Sequence, residues 1–170
     1  MTQRFLPLFL FCLLSLLTWP QQGRSEEGAA LAIHTGAFDF NKRDNPATEF
    51  GLEYRFTPRQ SLFYLIPVIG LTANTDGGHW LYSGMRYDIR LSDRWILSPH
   101  LAASLYGRGH SKNLGYGLEF RSGLELAYHI NAHSHLGLGI YHLSNAGLGR
   151  NNPGEESLII SYSFSPDILY

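Results

Sequence analysis

Three side chains close to the C-terminus are of the types that together hydrolyse esters. His142 and Ser144 are two residues apart, and Glu156 follows twelve residues after Ser144. In such a triad the serine attacks the acyl carbon, the histidine accepts its proton and later protonates the leaving alcohol, and the carboxylate orients the imidazole. A spacing of two places His142 and Ser144 on the same face of a β-strand. These residues therefore predict a serine-hydrolase site, provided that Glu156 lies on a neighbouring strand.

Acyl transfer also needs hydrogen-bond donors for the oxygen that becomes negatively charged. Four candidate residues lie close to the triad in the sequence. They are Asn145 and Asn152, with their side-chain amides, and Ala146 and Gly147, with their backbone amides. The spacing does not choose among them, so we expect all four to be oxyanion or supporting residues.

The strands that carry these residues alternate apolar side chains with glycine or serine. His142 and Ser144 have the parity of the apolar set on one strand, and Glu156 has that of the apolar set on the next. The two sets are Leu136, Leu138 and Ile140, then Leu158, Ile160, Tyr162 and Phe164. In a membrane β-barrel such sets face lipid. Because polar groups facing lipid are costly, their presence there indicates a function.

Alternation of period two recurs along the chain in segments of about ten residues, separated by turn-forming residues. Between Glu49 and Phe56, for example, one face is apolar and the other carries Glu49, Glu53 and Arg55. The segments are 29–40, 47–57, 62–73, 79–91, 94–107, 115–130, 133–144 and 156–165. We therefore predict an all-β fold, an eight-stranded antiparallel transmembrane β-barrel whose termini both lie in the periplasm.

The N-terminus indicates export to the bacterial outer membrane. Arg4 precedes an apolar run that is too short for a lasting membrane helix, and small residues near Ser25 suit a signal peptidase. We therefore expect residues 1–25 to be a cleaved signal peptide and residues 26–170 to form one barrel domain. Aromatic residues make up 14% of the chain, which ends on Tyr170, as is common in outer-membrane barrels.

Charge and composition exclude several other functions. The 13 basic and 14 acidic residues leave no basic excess, so no nucleic-acid partner is expected. The only cysteine, Cys12, lies in the signal segment, so the mature chain uses no thiol chemistry. No metal site is expected either, because His129, His133 and His135 flank a short turn without an obvious carboxylate partner.

The segment HLSNAGLGRNNPGEE resembles the active-site region of the PagL family, the outer-membrane lipid A 3-O-deacylases. The family pattern is His-x-Ser-Asn-x-Gly, with an asparagine ten, a glycine twelve and a glutamate fourteen residues after the histidine. The matching residues are His142, Ser144, Asn145, Gly147, Asn152, Gly154 and Glu156. The resemblance implies that His142, Ser144 and Glu156 form the triad, that lipid A of lipopolysaccharide is the substrate, and that no cofactor is needed.

The resemblance covers about fifteen residues, so other functions stay open at this point. The strands alone would also suit a non-catalytic structural or adhesion barrel, or a secreted, soluble, ligand-binding barrel of the lipocalin type. A triad alone would also suit an outer-membrane phospholipase, because it specifies ester hydrolysis and not the alcohol that leaves. The sequence leaves open the acyl-chain preference, the restraint of activity in the intact membrane, and whether the barrel forms a homodimer.

Overall fold

The computed structural model describes residues 28–41 and 46–165. The expected signal peptide, residues 1–25, lies outside this part of the chain. The described strands are β1 (Ala30–Phe38), β2 (Ala47–Arg55), β3 (Ile66–Asn74), β4 (His79–Arg86), β5 (Ile89–Arg90), β6 (Trp95–Gly107), β7 (Leu118–Asn131), β8 (Ser134–Ser144) and β9 (Glu155–Phe164). A short 3-10 helix, Gln60–Leu62, precedes β3. Among the described residues, no helix is long and apolar enough to cross a bilayer.

The strands close into a ring of antiparallel neighbours. β1 pairs with both β2 and β9, and β4 pairs with both β3 and β6. β4 and β5 form one barrel strand, because both pair with β6 in a single register. At the break between them the Tyr87 N–H donates to the Pro99 carbonyl, and Pro99 has no N–H to donate in return. The barrel therefore has eight strands, which confirms the predicted fold class.

The outer wall is apolar and the interior is polar. On β2 the side chains of Glu49, Glu53 and Arg55 are buried, whereas Phe50 and Leu52 are exposed. This arrangement is the reverse of a water-soluble sandwich and suits a cylinder surrounded by lipid. The charges between the strands therefore fill the lumen, and the alternating apolar residues face the hydrocarbon.

A hydrogen-bonded charge network fills the part of the lumen around Glu125. The Glu125 carboxylate accepts hydrogen bonds from Arg55, Arg86, Ser161 and Tyr141. The donors come from strands on different sides of the ring, so the network ties the wall together through the interior. Nearer the loops the lumen also contains a cluster of packed apolar side chains. They are Phe38, Ala47, Trp80, Tyr82, Ala102, Leu114 and Leu143.

The two ends of the barrel differ. Three aromatic pairs lie at the end that carries both described termini: Tyr54 with Phe56, Trp95 with Tyr128, and Tyr162 with Phe164. Rings at one level on the outer wall match an interfacial girdle at the periplasmic side. The connections at the other end, which include residues 39–41, 75–78, 108–117 and 145–154, lie opposite the termini, so we assign them to the extracellular side.

The expected start of the third strand is wrong by four residues. The sequence predicted a strand from residue 62, but β3 begins at Ile66. Phe63 and Tyr64 have positive φ angles, and Arg59 forms an isolated bridge with Leu65. The chain therefore reverses here through a small turn, which the apolar run between Leu62 and Leu71 conceals in the sequence.

Candidate active site

His142 and Glu156 lie directly opposite each other on β8 and β9. His142 Nδ1 is 3.2 Å from Glu156 Oε1, which is a hydrogen-bonding distance. The two side chains are 45% and 37% exposed, and they stand on the outward face of the barrel. The register of one antiparallel pair thus joins a histidine and a carboxylate that are fourteen residues apart.

Asn41 adds a contact that the sequence did not suggest. Its side-chain amide donates to Glu156 Oε2 at 2.6 Å, while the other carboxylate oxygen faces His142. Asn41 follows β1, which closes the barrel against β9, and this neighbourhood exists only in the closed ring. No local motif connects residues so far apart, although an asparagine at the outer end of the adjacent strand was visible in the sequence.

Ser144 is the last residue of β8 and shares the outward face of His142. It is partly exposed, at the extracellular end of the wall. In the described part of the chain its hydroxyl makes no hydrogen bond, and hence none to His142. Residues two apart on a strand are separated by about 7 Å along it. Side-chain rotation has to close the remaining gap, as in many enzymes before substrate binds.

Asn145 shapes the loop between β8 and β9. Its side chain is completely buried, accepts from the Gly147 N–H, and donates to the carbonyl oxygens of Leu114 and Asn151. The backbone N–H of Asn145 in turn donates to Asn152 Oδ1. Because these groups already have partners, Asn145 and the Gly147 amide hold the loop in place.

Two of the four expected donors keep an N–H group without a partner. In the described residues, neither the side-chain NH₂ of Asn152 nor the backbone N–H of Ala146 donates a hydrogen bond. Ala146 has a positive φ of 52°, so its peptide is held in an unusual orientation. Both groups are therefore unengaged within the described residues.

Gly154 packs against the imidazole of His142. A Cβ atom at this position would lie 2.8 Å from His142 Cε1, which is closer than real Cβ contacts allow. Its φ is +59°, a conformation that favours glycine. The loop thus brings its backbone against the imidazole ring, which restricts the orientation of His142.

An open groove of about 490 Å³ runs along the outer wall beside the pair. His142 and Glu156 lie at its edge, and Ser122 lies across from His142 on β7. The rest of the outward lining is aliphatic, and it consists of Leu97, Leu124, Leu126, Leu138, Ile140 and Leu158. The groove therefore joins the polar pair to a surface that suits a hydrocarbon chain.

The fold and the site together define an outer-membrane β-barrel that carries hydrolase-type side chains on its lipid-facing wall. A family model described as lipid A 3-O-deacylase (PagL) matches residues 71–165, more than half of the chain. The chain belongs to this family of carboxylic ester hydrolases, and it is an outer-membrane protein. No curated protein sequence matches the chain significantly.

Solved structures show the same architecture. The crystal structure of the outer membrane enzyme PagL aligns with a TM-score of 0.62 and 18% identity, covering 80% of this chain and 99% of that chain. A de novo designed transmembrane β-barrel aligns with a TM-score of 0.60 and 11% identity, covering 83% and 97%. Neisserial surface protein A gives 0.51 and 11%, covering 81% and 99%. At these identities the likeness concerns the fold alone.

Proposed function

We propose that this protein is a lipid A 3-O-deacylase that uses Ser144, His142 and Glu156. It hydrolyses the ester that joins a 3-hydroxyacyl chain to position 3 of the lipid A glucosamine. The observation that carries the proposal is the His142–Glu156 contact of 3.2 Å on the outward face, beside the serine of the family motif. A polar pair of this kind on a lipid-facing wall has no structural purpose that would offset its cost.

The proposed reaction has two steps. His142 takes the proton of Ser144 as the serine oxygen attacks the ester carbonyl, and it returns that proton to the leaving sugar hydroxyl. Water then attacks the acyl-serine with His142 again as the base, which releases the fatty acid and restores the serine. Glu156 holds the imidazole by Nδ1 and stabilises its positive charge in both steps.

The oxyanion of each tetrahedral intermediate needs donors close to Ser144. We assign this role to the Asn152 side chain and the Ala146 N–H, because both are unengaged within the described residues. Asn145 and Gly147 act as supporting residues, since their contacts hold the loop that presents those donors. The reaction requires no cofactor or metal.

The position of the site suits a substrate that never leaves the membrane. Lipid A diffuses in the outer leaflet, and an outward site at the extracellular end of the wall receives it from the side. Water reaches the same level at the headgroups. We further propose that residues 1–25 are removed as a signal peptide and that residues 26–170 are the mature barrel domain.

Mass spectrometry of lipid A from expressing cells tests the proposal. Cells with the wild type should lose one hydroxyacyl chain from lipid A, and cells with Ser144→Ala or His142→Ala should keep it. All three proteins should reach the outer membrane and show the heat-dependent gel shift of a folded barrel. An unchanged lipid A with the wild type, or the same loss with either variant, would contradict the proposal. Release of fatty acid from phospholipid instead would favour the phospholipase alternative.

A further inference from the structure

Ser122 is a polar side chain in the aliphatic groove that neither the triad nor the family motif includes. It lies on the outward face of β7, directly opposite His142 on β8. It is exposed, and its hydroxyl makes no hydrogen bond with the described part of the chain. Its neighbours on the same face include Leu124 and Leu101. A hydroxyl on such a surface has no partner in lipid, so it indicates contact with a polar group of the ligand.

The depth of Ser122 in the wall relates it to the reacting bond. β8 runs toward the extracellular end, so Ser144 is nearer the loops and His142 is one step deeper. Ser122 is the cross-strand partner of His142 at that step, and it is a diagonal neighbour of Ser144 across β7 and β8, at about 7–8 Å. Below this level the groove is lined only by aliphatic side chains on its outward face.

An acyl chain held with its carbonyl at Ser144 would therefore extend downward past Ser122 before it enters the aliphatic part. In a 3-hydroxyacyl chain, the one polar group beyond the carbonyl lies two carbons along, in the direction that leads from Ser144 toward Ser122. We propose that Ser122 is a specificity-determining residue that hydrogen-bonds the 3-hydroxyl of the departing acyl chain. This inference rests on the proposed function and deepens it, because it assigns recognition of the hydroxylated chain to a residue outside the motif.

The test compares two synthetic glucosamine 3-O-esters of equal chain length, one with a 3-hydroxyacyl group and one with the plain acyl group. Wild-type barrel refolded in detergent should cleave the hydroxylated ester with a kcat/KM about three- to tenfold higher, as one neutral hydrogen bond provides. Ser122→Ala should bring the ratio close to one, through a loss on the hydroxylated ester alone. Ser122→Thr keeps the hydroxyl and should keep most of the preference.

Leu126→Ala is the matched control, because Leu126 lines the deeper groove without a polar group. It should slow both esters by the same factor and leave their ratio unchanged. The heat-dependent gel shift verifies folding of every variant. An unchanged ratio in Ser122→Ala would overturn the inference, and so would loss of both activities in a folded Ser122→Ala protein. A wild type inactive on both esters would instead overturn the proposed function, and the role of Ser122 with it.

Discussion

Two carboxylates, Glu125 in the lumen and Glu156 on the outer wall, show how one barrel uses the same group for different purposes. Glu125 is 2% exposed, and both of its oxygens accept hydrogen bonds from several donors, including two arginines. Glu156 is 37% exposed and contacts one neutral amide and one imidazole. The lumen group is enclosed by charge, whereas the wall group has a partner that can gain and lose a proton.

The difference explains where chemistry is possible. In the lumen every oxygen of Glu125 is engaged and water has little access, so the network rigidifies the barrel. On the wall, His142 uses Nδ1 for Glu156, and its Nε2 makes no hydrogen bond within the described residues. A free ring nitrogen beside a serine is what a general base requires. Replacing Glu125 by glutamine should therefore lower the stability of the barrel, whereas replacing Glu156 by glutamine should lower its activity.

The largest effect is expected for Glu156→Gln. Glutamine keeps the size of the side chain but cannot stabilise the imidazolium, and a comparable change in a serine protease triad lowers kcat about 10⁴-fold. Because Glu156 is partly exposed, we expect a loss of about 10²–10⁴ in the rate of hydroxyacyl release. The unfolding temperature in detergent should stay near that of the wild type. Full activity in a folded Glu156→Gln protein would remove the carboxylate from the mechanism.

Glu125→Gln should give the opposite result. Loss of this charge leaves Arg55 and Arg86 without part of their compensation in a buried network, at a cost of about 3–5 kcal/mol. The heat-dependent gel shift should move to a lower temperature by a clear margin. The protein that remains folded should still deacylate lipid A, because the Glu125 side chain points into the lumen and the proposed site is on the outward face. An unchanged unfolding temperature would contradict a stabilising role for the network.

The sequence predicted most of the fold because alternation marks each strand and its outward face. The segment that was expected at residues 47–57 is β2, Ala47–Arg55, and its charged side faces the interior as expected. The irregular turn at Phe63 and Tyr64 could not be foreseen, because positive φ angles at aromatic residues have no propensity signal. The short connections predicted that consecutive strands pair as hairpins. The cost of an unpaired strand edge in lipid predicted that the sheet closes into a barrel.

The sequence was less informative about how the site is held. Parity on two neighbouring strands was enough to place His142 and Glu156 on one face. The Asn41 contact depends on closure of the ring between β1 and β9, and Ser122 depends on the register between β7 and β8. No local sequence motif specifies the pairing of β1 with β9 or the register between β7 and β8. The partners of Asn145 depend on the course of the loop, so the sequence could not separate supporting residues from free donors.

Two glycines in the loop between β8 and β9 differ in whether an added Cβ would contact His142, and alanine variants of both can test that contact. Gly147 and Gly154 both have positive φ, so alanine at either costs about 1–2 kcal/mol in backbone strain. Only at Gly154 would the new Cβ meet His142; at Gly147 nothing lies within 4 Å. We expect Gly154→Ala to lower the deacylation rate about tenfold, as a rise of about 1.4 kcal/mol in the activation free energy would, and Gly147→Ala to stay near the wild type. Equal losses in both would mean that strain alone, without displacement of the imidazole, explains the effect.

Asn41 is expected to give the smallest effect, because it acts through Glu156 as a positioning residue. Asn41→Ala removes one exposed hydrogen bond to that carboxylate, so kcat should fall about three- to tenfold. KM should stay near the wild-type value, since Asn41 does not line the groove. Asn41→Asp should be slower still, because it places a second negative charge beside Glu156. Asn113→Ala is the control, since Asn113 is also a loop asparagine, and among the described residues its side chain bonds only the Gly115 N–H. A rise in KM without a fall in kcat would assign Asn41 to substrate binding instead.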